Sequence, residues 1–281
     1  MDTLWLELLA VRVAAGSQRG RLAQTLLSRR SPRPLLTTGP WQPSDNAWRE
    51  AERQLRVMQL LGISLVPVWE LSALLTRLRP LPPMLFVRGK ADLLHRPAVA
   101  VVGSREATAE GERWAILRAR EAANSNLVLV SGGARGIDAA AHAGAIAVGG
   151  GTLAYLGVAA DRIYPEHNRR LFERLLTRGG ALVSEHPPGA VTYNFDHAKR
   201  NRLIAAHSSL LFVVQADARS GSLGTARFAQ RYGVPVQLAP PEVGGKQQGL
   251  EILRLEGWAE SYSEKWPERL AAPLASPPPQ V

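Results

Sequence analysis

The chain of 281 residues has no cysteine. That absence excludes disulfides, thiolate nucleophiles and cysteine-ligated zinc together, and it suits a reducing compartment. No apolar run reaches membrane-spanning length. The opening MDTLWLELLAVRVAAG carries Asp2 and Glu7 where a secretory signal needs positive charge. A cytoplasmic protein without membrane contact is therefore expected. Neither G-x-G-x-x-G nor G-x-x-x-x-G-K-[ST] occurs, which argues against classical dinucleotide binding and P-loop phosphoryl transfer.

What the chain does contain is a hydrophobic content of 46% and a net charge of +10. The first is enough for one α/β core and a small extra domain. Basic and acidic residues number 9 and 5 in positions 1–62, 21 and 13 in 63–240, and 4 and 6 in 241–281. The positive excess thus centres on the middle of the chain and favours a polyanionic partner, although an arginine-rich genome yields the same balance.

Residues 1–30 read as amphipathic helix, Arg29 to Pro43 as a Pro-rich connection, and Asp45 to Leu61 as helix again, with Trp48, Leu55, Met58 and Leu61 on one side. The arginines of this region (Arg19, Arg21, Arg29, Arg30, Arg33) either touch a polyanion or form a solvated face. From Gly62 the texture changes to short apolar runs: Ile63–Val66, Met84–Val87, Val99–Val102, Leu127–Val130, Thr152–Leu156, Ala181–Val183, Leu210–Val214 and Val234–Leu238. Runs that are continuous rather than alternating belong to strands covered on both faces. With helical patterns between them they predict a doubly wound, mostly parallel α/β sheet. The expected division is a helical domain at 1–62, the sheet domain at 63–240, and a partly disordered extension at 241–281 that frays beyond Leu274.

Five loops follow strands directly: Gly103-Ser104-Arg105, Ser131 to Gly136, Gly157 to Asn168, Ser184-Glu185-His186 and Asp217 to Ser222. In a doubly wound sheet they converge on one edge, where backbone N–H groups suit phosphate. Gly103 and the Gly132-Gly133 pair also serve tight strand-to-helix packing. Arg105 is placed for bidentate phosphate contact, or for an ion pair with Glu106 or Glu110. Asp138 and His142, four apart on one helix, can hydrogen-bond each other. A Ser131, His142, Asp138 triad is conceivable on paper, but nothing resembles a nucleophile elbow. The stretch Phe195-Asp196-His197-Ala198-Lys199-Arg200-Asn201-Arg202 joins an aromatic, an amide and three fixed cations, a composition that suits single strands. The apolar Leu203 to Ala206 that follow it could instead tie some of these residues into the domain.

Read together, VAVVGSR (99–105), SGGARGIDAAAH (131–142), YPEHN (164–168), SE (184–185), KRNRLIA (199–205) and SGSLGTA (220–226) resemble the DprA, or Smf, family of DNA-processing proteins of bacterial transformation. LPPMLFVRGKADLL (81–94) is similar to the family's entry into the fold, and the likeness covers about 62 to 240. The resemblance implies an extended Rossmann domain that binds and protects incoming single-stranded DNA, forms a homodimer and loads the RecA recombinase, with no catalysis, cofactor or metal. Carried over, the DNA-binding set is Gly103, Ser104, Arg105, Ser131, Gly132, Gly133, Arg135, Gly136, Lys199, Arg200 and Asn201, with Ser220, Ser222 and Thr225 on a neighbouring helix start. The family's Phe-Pro before its basic residues is His197-Ala198 here, so the stacking group is Phe195, His197 or neither. Gln215 stands where a glutamate is usual, and Ala206-His207-Ser208 where Gly-Leu-Ser is.

The rival is an enzyme. Nucleoside-monophosphate phosphoribohydrolases of the lysine-decarboxylase-like family share the sheet and carry P-G-G-x-G-T-x-x-E. The aligned stretch here, Ser220 to Phe228, ends in phenylalanine where that glutamate would stand, so the acid or base is missing.

Overall fold

The structure is a computed structural model that describes residues 2–271. Four helices come first: α1 (Asp2–Ala15), α2 (Arg19–Arg29), α3 (Arg33–Thr37) and α4 (Asp45–Leu61). The expected single helix over 1–30 is two, broken at Gly16, and the Pro-rich connection holds α3, with Pro34 in its first turn where a missing N–H costs nothing. Ser44 caps α4 by accepting a hydrogen bond from the Ala47 N–H at 3.3 Å.

The chain then alternates: β1 (Ile63–Pro67), β2 (Met84–Gly89), β3 (Ala98–Val102), α5 (Ala109–Asn124), β4 (Val128–Ser131), α6 (Ile137–Ala147), β5 (Thr152–Leu156), α7 (Arg169–Thr177), β6 (Ala181–Ser184), α8 (Asn194–His207), β7 (Leu210–Val213), α9 (Gly221–Arg231) and β8 (Val236–Leu238). All eight strands expected from the sequence are present. After them come α10 (Gln248–Leu255), β9 (Glu260–Ser261) and α11 (Trp266–Ala271). The sheet order is β1-β2-β6-β5-β4-β3-β7-β8-β9, and only β2 runs against the others. β3 to β6 are wholly buried, as continuous apolar runs require.

From β3 the chain winds through β4 and β5 to β6, then returns across the sheet through α8 to β7 on the other side of β3. The reversal makes the crevice beyond the carboxyl ends of β3 and β7 the topological switch point, where doubly wound sheets bind ligands. Helices α5, α6 and α7 pack side by side along one layer, and α8 packs against α9 along another.

One buried cluster runs from Leu8 to Trp266. The buried Arg12 of α1 lies over the Phe86 ring of β2, 5.9 Å from its centre. Trp266 and Trp114 meet Phe212 edge-on. β9 adds a ninth strand beside β8, which the sequence did not signal; fraying beyond Leu274 concerns positions outside the described residues.

Candidate nucleic-acid interface

A cleft of about 470 Å³ opens at the switch point, between the loop after β3 (Gly103-Ser104-Arg105-Glu106) and the loop leading into α9 (Asp217 to Ser222). A second cavity of about 330 Å³ adjoins it, floored by Leu156 and Gly157 and walled by Tyr164, His167, His197 and Arg135. Arg105, Ala134 and Arg200 belong to both, so the two form one continuous recess.

Arg105 is exposed at the junction and makes no hydrogen bond or ion pair with any described residue. The acids that sequence reasoning offered it are engaged elsewhere: Glu106 with Lys246 at 2.7 Å, Glu110 with Arg113. Arg135 is likewise exposed and unpaired. Beneath them Arg200 is 8% exposed and donates from Nη1 to the Tyr155 carbonyl at 2.8 Å. Burial lowers its pKa to about 10, an effect that Asp138 opposes and Arg105 reinforces. It remains a cation at neutral pH.

The loop after β4 is built around Asp138, whose Oδ2 accepts from the N–H groups of Gly132 (3.1 Å) and Ala134 (3.3 Å). Burial raises this carboxyl above the usual range, and Arg200 with the two N–H donors pulls it back. A Cβ at Gly132 would land on the Arg200 guanidinium, so this glycine makes room for the buried cation. Gly136 has φ +69°, and a Cβ there would strike the Ser104 carbonyl oxygen, which accepts from Ile137 N–H at 3.2 Å. Gly103 opens the β3 loop, and the Gly133 carbonyl accepts from Asn168 Nδ2 at 2.9 Å. Ser104 accepts from Glu106 N–H at 3.1 Å.

Several sequence expectations are corrected. Asp138 and His142 do not bond each other: His142 Nδ1 pairs with Thr152 Oγ1 at 2.7 Å, because its ring points to the strand beneath α6. Ser131 is fully buried, its hydroxyl donating to the Val101 carbonyl at 2.6 Å, so no nucleophilic triad exists. Of the five loops, four border the recess. The Ser184-Glu185-His186 loop turns away, since Glu185 is drawn to Arg202, which also donates to the Pro80 carbonyl at 2.8 Å. Arg202 is therefore structural rather than a third free cation.

On the outer side of α8, Phe195 (54% exposed) and Tyr193 (58% exposed) stack with ring centres 5.4 Å apart, and Lys199 Nζ sits 4.3 Å above Phe195. His197 instead packs on Tyr164, and burial first, then Arg200 and Arg105, lowers its pKa. Phe195 is thus the exposed aromatic of the basic stretch. Asn201 donates to the Gly221 carbonyl at 3.2 Å, which ties α8 to α9. Ser220 caps α9 and shares a hydrogen bond with the buried Ser222 at 2.7 Å, while Thr225 is buried one turn on. Gln215 is buried and makes three hydrogen bonds to two segments: it accepts from Thr108 N–H at 3.1 Å and donates to Thr108 Oγ1 at 2.8 Å and to the Gly244 carbonyl at 2.9 Å.

Sequence reasoning missed Lys246 and Tyr193; Tyr164 and Arg219 lie in loops that it placed at this edge without naming them as site residues. Lys246 bridges Glu106 and Asp217, each at 2.7 Å, and Asp217 first, then Glu106, raises its pKa to about 12. Its place in the cleft comes from a loop 140 residues distant from Glu106 in sequence, which no local pattern reveals.

Fold and site together define a Rossmann-like protein with a cation-lined recess at its switch point. Comparison with known proteins narrows this. The family model of DNA recombination-mediator protein A matches residues 69–269, and the chain belongs to that family. Relatives include Protein Smf of Escherichia coli, 42% identical over 163 residues (58% of this chain, 44% of that protein). The DNA processing protein DprA of Streptococcus pneumoniae is 37% identical over 190 residues, covering 67% of this chain and 65% of that one. The chain thus spans between 44% and 65% of these relatives' lengths. The solved structure of the pneumococcal DprA superposes with TM-score 0.68 at 28% identity, covering 96% of this chain and 94% of that one. The DNA processing protein A of Helicobacter pylori, described for its single-stranded DNA binding mode, gives TM-score 0.68 at 28% identity over 75% of this chain and 96% of that one. No helix among the described residues is long and apolar enough to cross a membrane.

Proposed function

We propose that the chain binds single-stranded DNA in the switch-point recess, as a cytoplasmic recombination mediator of incoming DNA. The observation that carries this reading is the pair of exposed cations at the mouth, Arg105 and Arg135, which make no hydrogen bond or ion pair with any described residue and stand above the buried Arg200, while the Phe195–Tyr193 stack offers exposed rings on the outer side of α8. Cations take phosphates and rings take unpaired bases, whereas a duplex hides its base faces, so single strands are preferred and sequence matters little. The relatives' names as DNA-processing proteins and the described binding mode of the Helicobacter protein support the same assignment.

No catalytic role is assigned. The two carboxylates at the recess lip, Glu106 and Asp217, are both held by Lys246, and Asp138 is buried against backbone N–H groups. Family membership supports a homodimer that helps load the RecA recombinase. Two recesses on one dimer would hold a strand by effective concentration. The direct test is fluorescence anisotropy with a labelled oligo-dT and a duplex of equal length. Tighter binding of the single strand, weakening with salt, is expected. Equal or tighter duplex binding would overturn the reading.

A further inference from the structure

The two cavities of the recess differ in chemistry. Three acids, Glu106, Asp138 and Asp217, line the larger one, and no carboxylate lines the smaller. The smaller cavity, of about 330 Å³, instead sets Arg105, Arg135 and Arg200 against the rings of Tyr164 and His197. Those rings lie 4.9 Å apart between centres, tilted by 30°, so a further ring adds to the pair rather than entering it. Tyr164 is 48% exposed and offers the more open surface of the two. Both rings are held in place by the protein itself. Gly157, at the end of β5, lets α8 come close, since a Cβ there would lie 2.6 to 2.8 Å from the Nδ1, Cα and N of His197. Tyr164 belongs to a loop that Asn168 anchors, its Nδ2 donating to the Gly133 carbonyl at 2.9 Å and its backbone N–H to the Pro165 carbonyl at 3.0 Å. Tyr193 and Phe195, by contrast, line neither cavity.

We propose that the smaller cavity holds one nucleobase of the bound strand, stacked on the Tyr164 ring beside His197, while Arg105 and Arg135 take the phosphates that flank it. The inference rests on the reading of the recess as a single-strand site. The negative face of a ring disfavours an anion, and three arginines disfavour a cation. A flat, uncharged group joined to phosphates satisfies both walls at once. Tyr164 is thereby the residue that tells an unpaired base from bare sugar-phosphate, and because every base has such a face, it does so without reading sequence.

The test uses the full chain with two labelled probes, oligo-dT and an all-abasic oligomer of the same length and charge. The wild type should bind oligo-dT more tightly. Tyr164→Leu should weaken oligo-dT binding about tenfold, the size of one lost base stack, and leave abasic binding unchanged. Its salt slope should match the wild type, because no phosphate contact is lost. Tyr164→Phe keeps the ring and should bind as the wild type does. A tyrosine with only a structural role would weaken both probes alike. Equal losses on the two probes, no loss on oligo-dT, or a wild type that binds both probes equally would overturn the proposal, as would base discrimination that Phe195→Ala abolishes and Tyr164→Leu does not. Should Tyr164→Leu melt early, ultraviolet crosslinking of a 5-iodouracil oligonucleotide to the wild type decides: an adduct on Tyr164 is expected, and adducts confined to Tyr193 or Phe195, or none at all, would overturn the assignment. Oligo-dT binding and a salt slope that Arg105→Ala leaves intact would instead remove the recess reading itself, and this subsite with it.

Discussion

Replacing Arg105 by alanine should separate binding from folding. The side chain is exposed, has no partner among the described residues, and exerts like-charge repulsion on Arg200 and His197. Its removal therefore deletes no native contact, and the unfolding free energy should shift by less than about 0.5 kcal/mol. The bound state is another matter. A guanidinium at the junction of the two cavities reaches phosphate by charge-assisted hydrogen bonds, each contributing about 1.5–3 kcal/mol. Affinity for oligo-dT should fall about ten- to hundredfold, and the salt slope should flatten by about 0.7 if one phosphate contact is lost. Anisotropy titrations at several salt concentrations, paired with thermal melts, read both quantities. Unchanged affinity with an unchanged slope would refute the placement of the site; a large drop in melting temperature would show that Arg105 has a structural partner after all.

Arg200→Met should do the reverse first, leaving the Tyr155 carbonyl without its donor and Asp138 without the cation that offsets its burial, at a cost of about 2–4 kcal/mol seen as a lower melting temperature. A melt within a degree of wild type would contradict this. Gly136→Ala forces a side chain into positive φ and onto the Ser104 carbonyl, so it should cost at least about 2 kcal/mol and weaken DNA binding by shifting the β3 loop; normal stability and binding would show that the loop yields freely. Burial lowers His142 to about 3 and His207 to about 4. Below its ordinary pKa of 6.5 each takes up a proton in the unfolded chain before it does so in the folded one. Their contribution is thus full above pH 6.5 and declines as pH falls towards 4, by about 2 kcal/mol apiece at pH 5. Asp138 and Glu185, raised by burial, act in the opposite sense, so the informative comparison is the pH dependence of melting in wild type against His207→Gln. The variant should be shallower between pH 7 and 5, and identical slopes would refute the assignment.

The local pattern carried the strands. Runs such as Val99–Val102 and Leu210–Val214 are apolar at every position, and only a sheet covered on both faces buries such segments completely. The loops after them could be read as one edge for the same reason, and Gly103 to Arg105 with Ser131 to Gly136 do meet there. What the sequence left open was the direction in which each side chain of a charged stretch points. Lys199, Arg200 and Arg202 look alike as residues, yet the helix turns Lys199 outward over Phe195, sinks Arg200 beneath the recess and sends Arg202 to Glu185 and Pro80. Their fates differ because each step along a helix rotates the side chain by about 100° past a different neighbour, and those neighbours come from β5, from the segment before β2 and from the loop after β6. Lys246 belongs to the cleft, and Gln215 to its supporting wall, only because β7 pairs with β3 and β8. Composition and periodicity specify which segments are buried; which charges remain free to meet a phosphate is decided by the contacts between segments distant in the chain.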